Sequence, residues 1–184
     1  MESTSNKLAI NNGLFIGGIS AVLNILIYYI YPQMMGNTLY GIFMMFIAMG
    51  LYIFFTIDLR KKIGGFWSFK EALKGIFLMS FIAGLLSTFV NFVFYKFIEP
   101  GAFEQISGII IENLSVTYEK LGMDQDTIDK TIEKVLESMK SQFNPSFEDL
   151  LKTLGIGVLI QFIMSLIFAA IFKKEQPIFT STEE

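Results

Sequence analysis

The stretch LGIGVLIQFIMSLIFAAIF, residues 154–172, decides the class of this protein. It carries no charge, and its strongly polar side chains are Gln161 and Ser165 alone. A helix that crosses the hydrocarbon core of a bilayer needs about 20 mostly apolar residues. A peptide group there finds no water, so the segment must satisfy its own backbone and is a helix rather than a strand. Working outward, three more runs meet the same test: residues 14–31, ended by Pro32; residues 39–57, free of charge; and residues 75–97, with Lys96 near the far end. The expected fold is all-α, an integral membrane bundle of four transmembrane helices with a helical hairpin, residues 101–150, inserted between spans three and four.

Composition agrees and excludes several function classes. The chain is 53% hydrophobic and 17% charged, below the roughly 25% charge of soluble domains. A net charge of -3 supplies no concentrated basic face, so nucleic acid is not an expected partner. The absence of cysteine rules out disulfides and thiol chemistry. The absence of histidine removes the commonest general base and metal ligand. Lys7 precedes the first apolar run as in a signal sequence, but that run is too long and no small-residue cleavage site follows it; it is expected to stay as the first span.

Charge gives the orientation. Arg60, Lys61, Lys62, Lys70 and Lys74 lie between spans two and three, and Lys173 and Lys174 follow span four. The excess of positive residues on cytoplasmic loops predicts that these segments, and with four spans both termini, face the cytoplasm. Tyr28, Tyr29 and Tyr31 fit an outer aromatic belt, and Phe66, Trp67 and Phe69 an inner one. Gly64-Gly65 breaks the chain, and Ser68 with Glu71 forms a capping box that starts the next helix.

Residues 99–152 then lie outside the cytoplasm. They hold eleven acidic and five basic side chains, yet they are patterned. Phe103, Ile106, Ile110, Leu114, Tyr118 and Leu121 recur at helical spacing, Gly122 is a stop and Asp124 an N-cap. A second apolar stripe comes next in Ile128, Ile132, Val135, Met139 and Phe143, before Asn144-Pro145-Ser146, with the proline suited to a first turn. An antiparallel hairpin standing outside the membrane is expected, its stripes facing each other or a partner. Its acidic character argues against lying flat on anionic lipid.

Several stretches resemble the bacterial membrane family catalogued as domain of unknown function 4199. They are Ser68-Phe69-Lys70-Glu71-Ala72-Leu73-Lys74-Gly75; Tyr95-Lys96-Phe97-Ile98-Glu99-Pro100 followed by Phe103-Glu104; Leu121-Gly122-Met123; and Lys173-Lys174-Glu175. The similarity covers nearly the whole chain in the same order. It implies a four-helix protein of the bacterial inner membrane and supplies no activity, substrate or catalytic residue.

Few residues invite chemistry. Asn24 and Asn91 fall near the middle of spans one and three, where an amide needs a partner. Gln161 and Ser165 share a face of span four, and Ser80, Gly84, Ser87 and Thr88 give span three a small, weakly polar face. Gly13 and Gly17 repeat the four-residue spacing. Packing between helices explains these residues more simply than a solute path. Asp124, Asp126 and Asp129 fail the calcium-loop pattern, since Asp129 stands where glycine is needed and Val135 where glutamate is needed. No catalytic residue, metal ligand or cofactor site is expected. The function expected is that of a non-enzymatic structural or interaction protein of the cell envelope. It would work through the hairpin, whose partner surface would comprise Phe103, Ile106, Ile110, Leu114, Ile128, Ile132, Val135 and Met139. The partner would be an envelope protein or a second copy. The alternative is a small oligomeric channel or carrier lined by Asn24, Asn91, Gln161 and Ser165.

Overall fold

The computed structural model describes residues 2–35, 38–143 and 145–176. The described residues form six helices: α1 (Glu2–Ile30), α2 (Thr38–Lys62), α3 (Phe69–Val93), α4 (Ala102–Lys120), α5 (Gln125–Phe143) and α6 (Phe147–Phe172). Four helical stretches, Thr4–Ile30, Leu39–Lys62, Phe69–Ile98 and Phe147–Phe172, are long and apolar enough to cross a membrane. The helices outrun the apolar stretches of the sequence at most ends. Hydropathy marks what hydrocarbon accepts, whereas a helix continues until a cap or glycine stops its hydrogen bonds.

Those stops are readable. Ser68 and Glu71 form the expected capping box at α3. Gly64 and Gly65 end α2 with positive φ (112° and 83°), as does Gly122 after α4 (74°), a conformation that costs glycine least. Asp124 caps α5 by accepting from the Thr127 amide at 3.0 Å. A second capping box, Ser146 with Asp149, starts α6. Pro145 therefore stands before the cap rather than in the first turn; Asn144 lies outside the described residues.

α3 is the centre, packed on α1 along one side and α6 along the other. The α1–α3 seam is set by glycine. A Cβ at Gly17 would lie 2.6 Å from the Ala83 carbonyl oxygen, and one at Gly13 would lie 2.5 Å from that of Met79. Only hydrogen at those two positions lets the backbones come so close. α2 is held mainly by α1.

The core splits into two clusters, one at each end. At the end carrying Arg60, Lys61 and Lys62, here the basic end, Ala9, Ile16, Leu59, Trp67, Ala72, Ile76, Met79 and Ala169 are buried together. At the opposite, hairpin end, Tyr28, Phe94 and Tyr95 of the bundle are buried with Ala102, Ile106, Met139 and Phe143 of α4 and α5. α4 and α5 therefore do not stand free: they pack on each other and seat their open ends on the bundle. Two expected belt residues are core residues instead. Trp67 is 2% exposed and Tyr28 5%, because each finds a hydrogen-bond partner inside for its polar tip.

Candidate functional site

The hairpin end is built around a change of helix type. The last turn of the long third helix, Phe94–Ile98, is π-helical; the Glu99 amide donates back to the Phe94 carbonyl at 2.8 Å. The wider turn brings both Tyr95 and Glu99 against α1. Tyr95 donates to Asn24 Oδ1 at 2.7 Å. Tyr29 donates to Glu99 at 2.6 Å. The Tyr28 hydroxyl shares its proton between Gln105 Oε1 at 3.1 Å and Glu99 Oε2 at 3.3 Å. Rings surround these bonds, Tyr28 edge to face on Phe94 with centroids 5.4 Å apart and Tyr95 tilted against Phe143 at 4.4 Å. This clasp ties α1, α3, α4 and α5 together with side chains. Such π turns often mark functional places in helices.

Beside the clasp a cleft of about 470 Å³ opens between α3, α5 and α6. Ser87, Thr88, Asn91 and Phe92 of α3 line it, with Ser138 of α5 and Thr153 of α6. Pro145 and Leu150 close the wall between the last two helices. The Asn91 amide nitrogen donates weakly to Ser87 Oγ at 3.4 Å. Asn91 Oδ1 is buried and has no partner among the described residues.

Deeper in the bundle, Ser80 and Ser165 meet at 3.3 Å across α3 and α6. Ser80 also donates to the carbonyls of Ile76 and Phe77 at 3.0 Å, and Ser165 to that of Gln161 at 2.6 Å. Each hydroxyl thus spends its proton on its own helix. Their meeting is close packing more than a bond. The Gln161 side chain occupies the notch left by Gly84, where a Cβ would overlap its amide nitrogen. Gln161, Ser80 and Ser165 also floor an apolar groove of about 260 Å³ bounded by Met45, Met49, Met164 and Phe168.

The polar span residues therefore fall in three places. Asn24 is in the clasp, Asn91 with Ser87 and Thr88 is in the cleft, and Gln161 with Ser80, Gly84 and Ser165 is at mid-bundle. Asn91 lines the cleft and Gln161 with Ser165 the groove, and Asn24 is a lining residue of neither. Of the hairpin stripes, Ile106, Ile128 and Met139 are buried, and Phe103, Ile110, Leu114, Ile132 and Val135 are half-buried. The acids grouped near Gly122 have local partners: Asp126 pairs with Lys130 at 2.6 Å and Asp129 accepts from Gln125 at 2.9 Å. Asp124, capped to Thr127 by side chain and backbone, is held below the ordinary aspartate pKa by those bonds.

The basic end closes through backbone. The Arg60 guanidinium and the Trp67 indole both donate to the Phe172 carbonyl, at 3.1 and 2.7 Å. Trp67 and Lys174 exchange backbone hydrogen bonds of 2.8 and 3.0 Å. The Lys174 ammonium lies 5.1 Å over the Phe66 ring. A cation and a donor on the last carbonyls of α6 also suit its helix dipole. Lys62 pairs with Asp58 at 2.8 Å; Lys61 and Lys173 are exposed.

Sequence reading missed Asn12, which is 4% exposed. Its two amide protons go to the Phe55 carbonyl and Asp58, each at 3.2 Å. The signal available was the one acid at the end of span two facing an amide before span one. Thr56, between Phe55 and Asp58 in the chain, is fully buried, its hydroxyl without a partner among the described residues.

Compared with known proteins, residues 11–174 match a family model described as protein of unknown function (DUF4199). No curated protein and no solved structure matches the chain.

Proposed function

This chain belongs to the DUF4199 family of proteins of unknown function, and from that premise we propose that it is a non-enzymatic docking protein of the bacterial inner membrane. Both termini are cytoplasmic and residues 99–152 are extracytoplasmic. α4 and α5 form a platform, fixed to the bundle, that engages a basic surface of an envelope partner. The observation that carries this reading is the clasp. It turns the apolar stripes inward and fixes the pair to the bundle, leaving Glu112, Glu133 and Glu137 exposed on the outside. The surface offered to a partner is then the acidic one, and the stripe from Phe103 to Met139 is the glue beneath it. Orientation is supported by the charge asymmetry between the ends: Arg60, Lys61, Lys62, Lys173 and Lys174 gather at one, the acid-rich pair at the other.

Because the chain has no cysteine, single-cysteine labelling has no background. In intact cells an impermeant maleimide should label Glu119→Cys and reach Lys61→Cys only after the membrane is opened; the reverse pattern would sink the orientation. For the platform, lysine at Glu112, Glu133 and Glu137 together should shrink the protein's native complex without changing its melting temperature. A complex of unchanged size would remove the docking role.

A further inference from the structure

We infer that the cleft between α3, α5 and α6 is a binding site for an uncharged headgroup bearing several hydroxyls. Three observations carry this. The first is where the cleft lies. Its walls from α3 and α6 belong to the stretches Phe69–Ile98 and Phe147–Phe172, both apolar enough to cross a membrane. Yet Ser87, Thr88, Asn91, Ser138 and Thr153 converge there from three helices around about 470 Å³. That volume is within the range of small-molecule sites, and the polar groups that the third span places there, Ser87, Thr88 and Asn91, need a partner at membrane depth.

The second is charge. No lysine, arginine, aspartate or glutamate is among the described lining residues. An ionised ligand would leave its charge uncompensated in a half-buried site.

The third is the direction of the hydrogen bonds. Asn91 Oδ1 is a buried acceptor without a donor among the described residues. Helical serines and threonines elsewhere in this chain send their protons back to their own turn: Ser80 to Ile76, Ser165 to Gln161, Thr117 to Asn113 and Thr131 to Thr127. Ser87, Thr88, Ser138 and Thr153 make no such bond among the described residues; Ser87 Oγ accepts from Asn91 and spends no proton. Their hydroxyls can therefore both give and take a bond at the cleft. A polyol, donor and acceptor at each oxygen, matches such a site, whereas an ester or quinone, with acceptors alone, can take protons but gives none back. Phe92 and Leu150 supply an apolar wall for the carbon face of such a group. The polyol could arrive on a lipid or as a free sugar, and the test separates the two.

The full chain is purified in an amine-oxide detergent, which carries no hydroxyl of its own. Melting temperature and native mass spectra are recorded with monoolein, with methyl oleate and with glucose. Monoolein and methyl oleate share an acyl chain, but only the first bears free hydroxyls. Monoolein is expected to raise the melting temperature by on the order of 5 °C near saturation and to give a one-to-one adduct. Methyl oleate should do neither. Asn91→Leu and Ser138→Val should each abolish the monoolein effect. The same behaviour with glucose alone supports the site and identifies a soluble polyol as the source. The proposal is overturned if neither polyol binds, if methyl oleate equals monoolein, or if binding survives both substitutions. Should Asn91→Leu fail to fold, Ser138→Val, at an exposed position on the rim, decides alone.

Discussion

The two ends of the bundle solve the same problem with different atoms. At the basic end, the α2–α3 connection and the end of α6 are joined through main chain. Trp67 and Lys174 pair backbone to backbone, and Arg60 and Trp67 converge on the Phe172 carbonyl. At the hairpin end, α1 is joined to the π turn and α4 by tyrosine hydroxyls on Asn24, Glu99 and Gln105. Backbone acceptors move only with their helix, whereas carboxylate and amide acceptors can turn on their own bonds. The hairpin end also carries the π turn and the cleft beside it. The fold thus has an anchored end and an adjustable one, and the cleft proposed above as a binding site opens at the adjustable end.

The largest effect should come from breaking the anchor. Trp67→Ala empties a site 2% exposed and removes the indole bond to α6. Truncating a buried tryptophan costs about 3–5 kcal/mol, so the thermal midpoint should fall by roughly 10 °C or more for a chain of this size. Next comes the seam that serves both ends. Gly17→Leu forces a side chain into space held by the Ala83 backbone. Overpacking of this kind costs about 1–3 kcal/mol, and hydrogen exchange should quicken at both ends together. Exchange that rises at one end only would show that the ends do not share this seam, and the comparison would need redrawing.

Legibility divides along the same line. The four spans and the Ser68 box are plain because hydropathy and capping are local signals. The Gly13–Gly17 spacing is visible too, although its partner, the Met79–Ala83 backbone, is not. The clasp is hidden for a physical reason. Tyr28, Tyr29 and Tyr31 read alike by composition, and only the π turn at Phe94–Ile98, which no periodicity announces, brings Glu99 under the first two. Asn91 stands out as a lone amide, but its neighbours in the cleft, Ser138 and Thr153, lie some 47 and 62 positions along the chain. Nothing in the spacing of hydroxyl residues indicates that they would meet.

A gentler cut tests the adjustable end. Tyr28→Phe keeps the ring in its cluster and removes the hydroxyl shared by Glu99 and Gln105. A hydrogen bond to a charged group contributes about 1.5–3 kcal/mol and a neutral one about half that; divided between two long contacts, a loss of about 1–2 kcal/mol is expected. Exchange protection should drop across α4 while amides near Trp67 and Lys174 stay as they were. Equal loosening of both ends would erase the contrast between anchored and adjustable.

The smallest effect belongs to Asp124, at the tip of the hairpin far from either junction. Its carboxylate is held below the ordinary aspartate pKa, first by the Thr127 hydroxyl and then by the Thr127 amide. A lowered folded-state pKa means that the charged form is the one the fold prefers. The stabilisation is therefore present above about pH 4 and fades as the pH drops through the lowered value. Acidification should loosen the first turn of α5, read as faster hydrogen exchange after correction for intrinsic rates, and Asp124→Asn should blunt that response while keeping a cap. Because the cap touches neither the clasp nor the cleft, polyol binding should not track this titration. Binding that did track it would mean that strain at the tip reaches the cleft through α5, and that the adjustable end extends the full length of the hairpin.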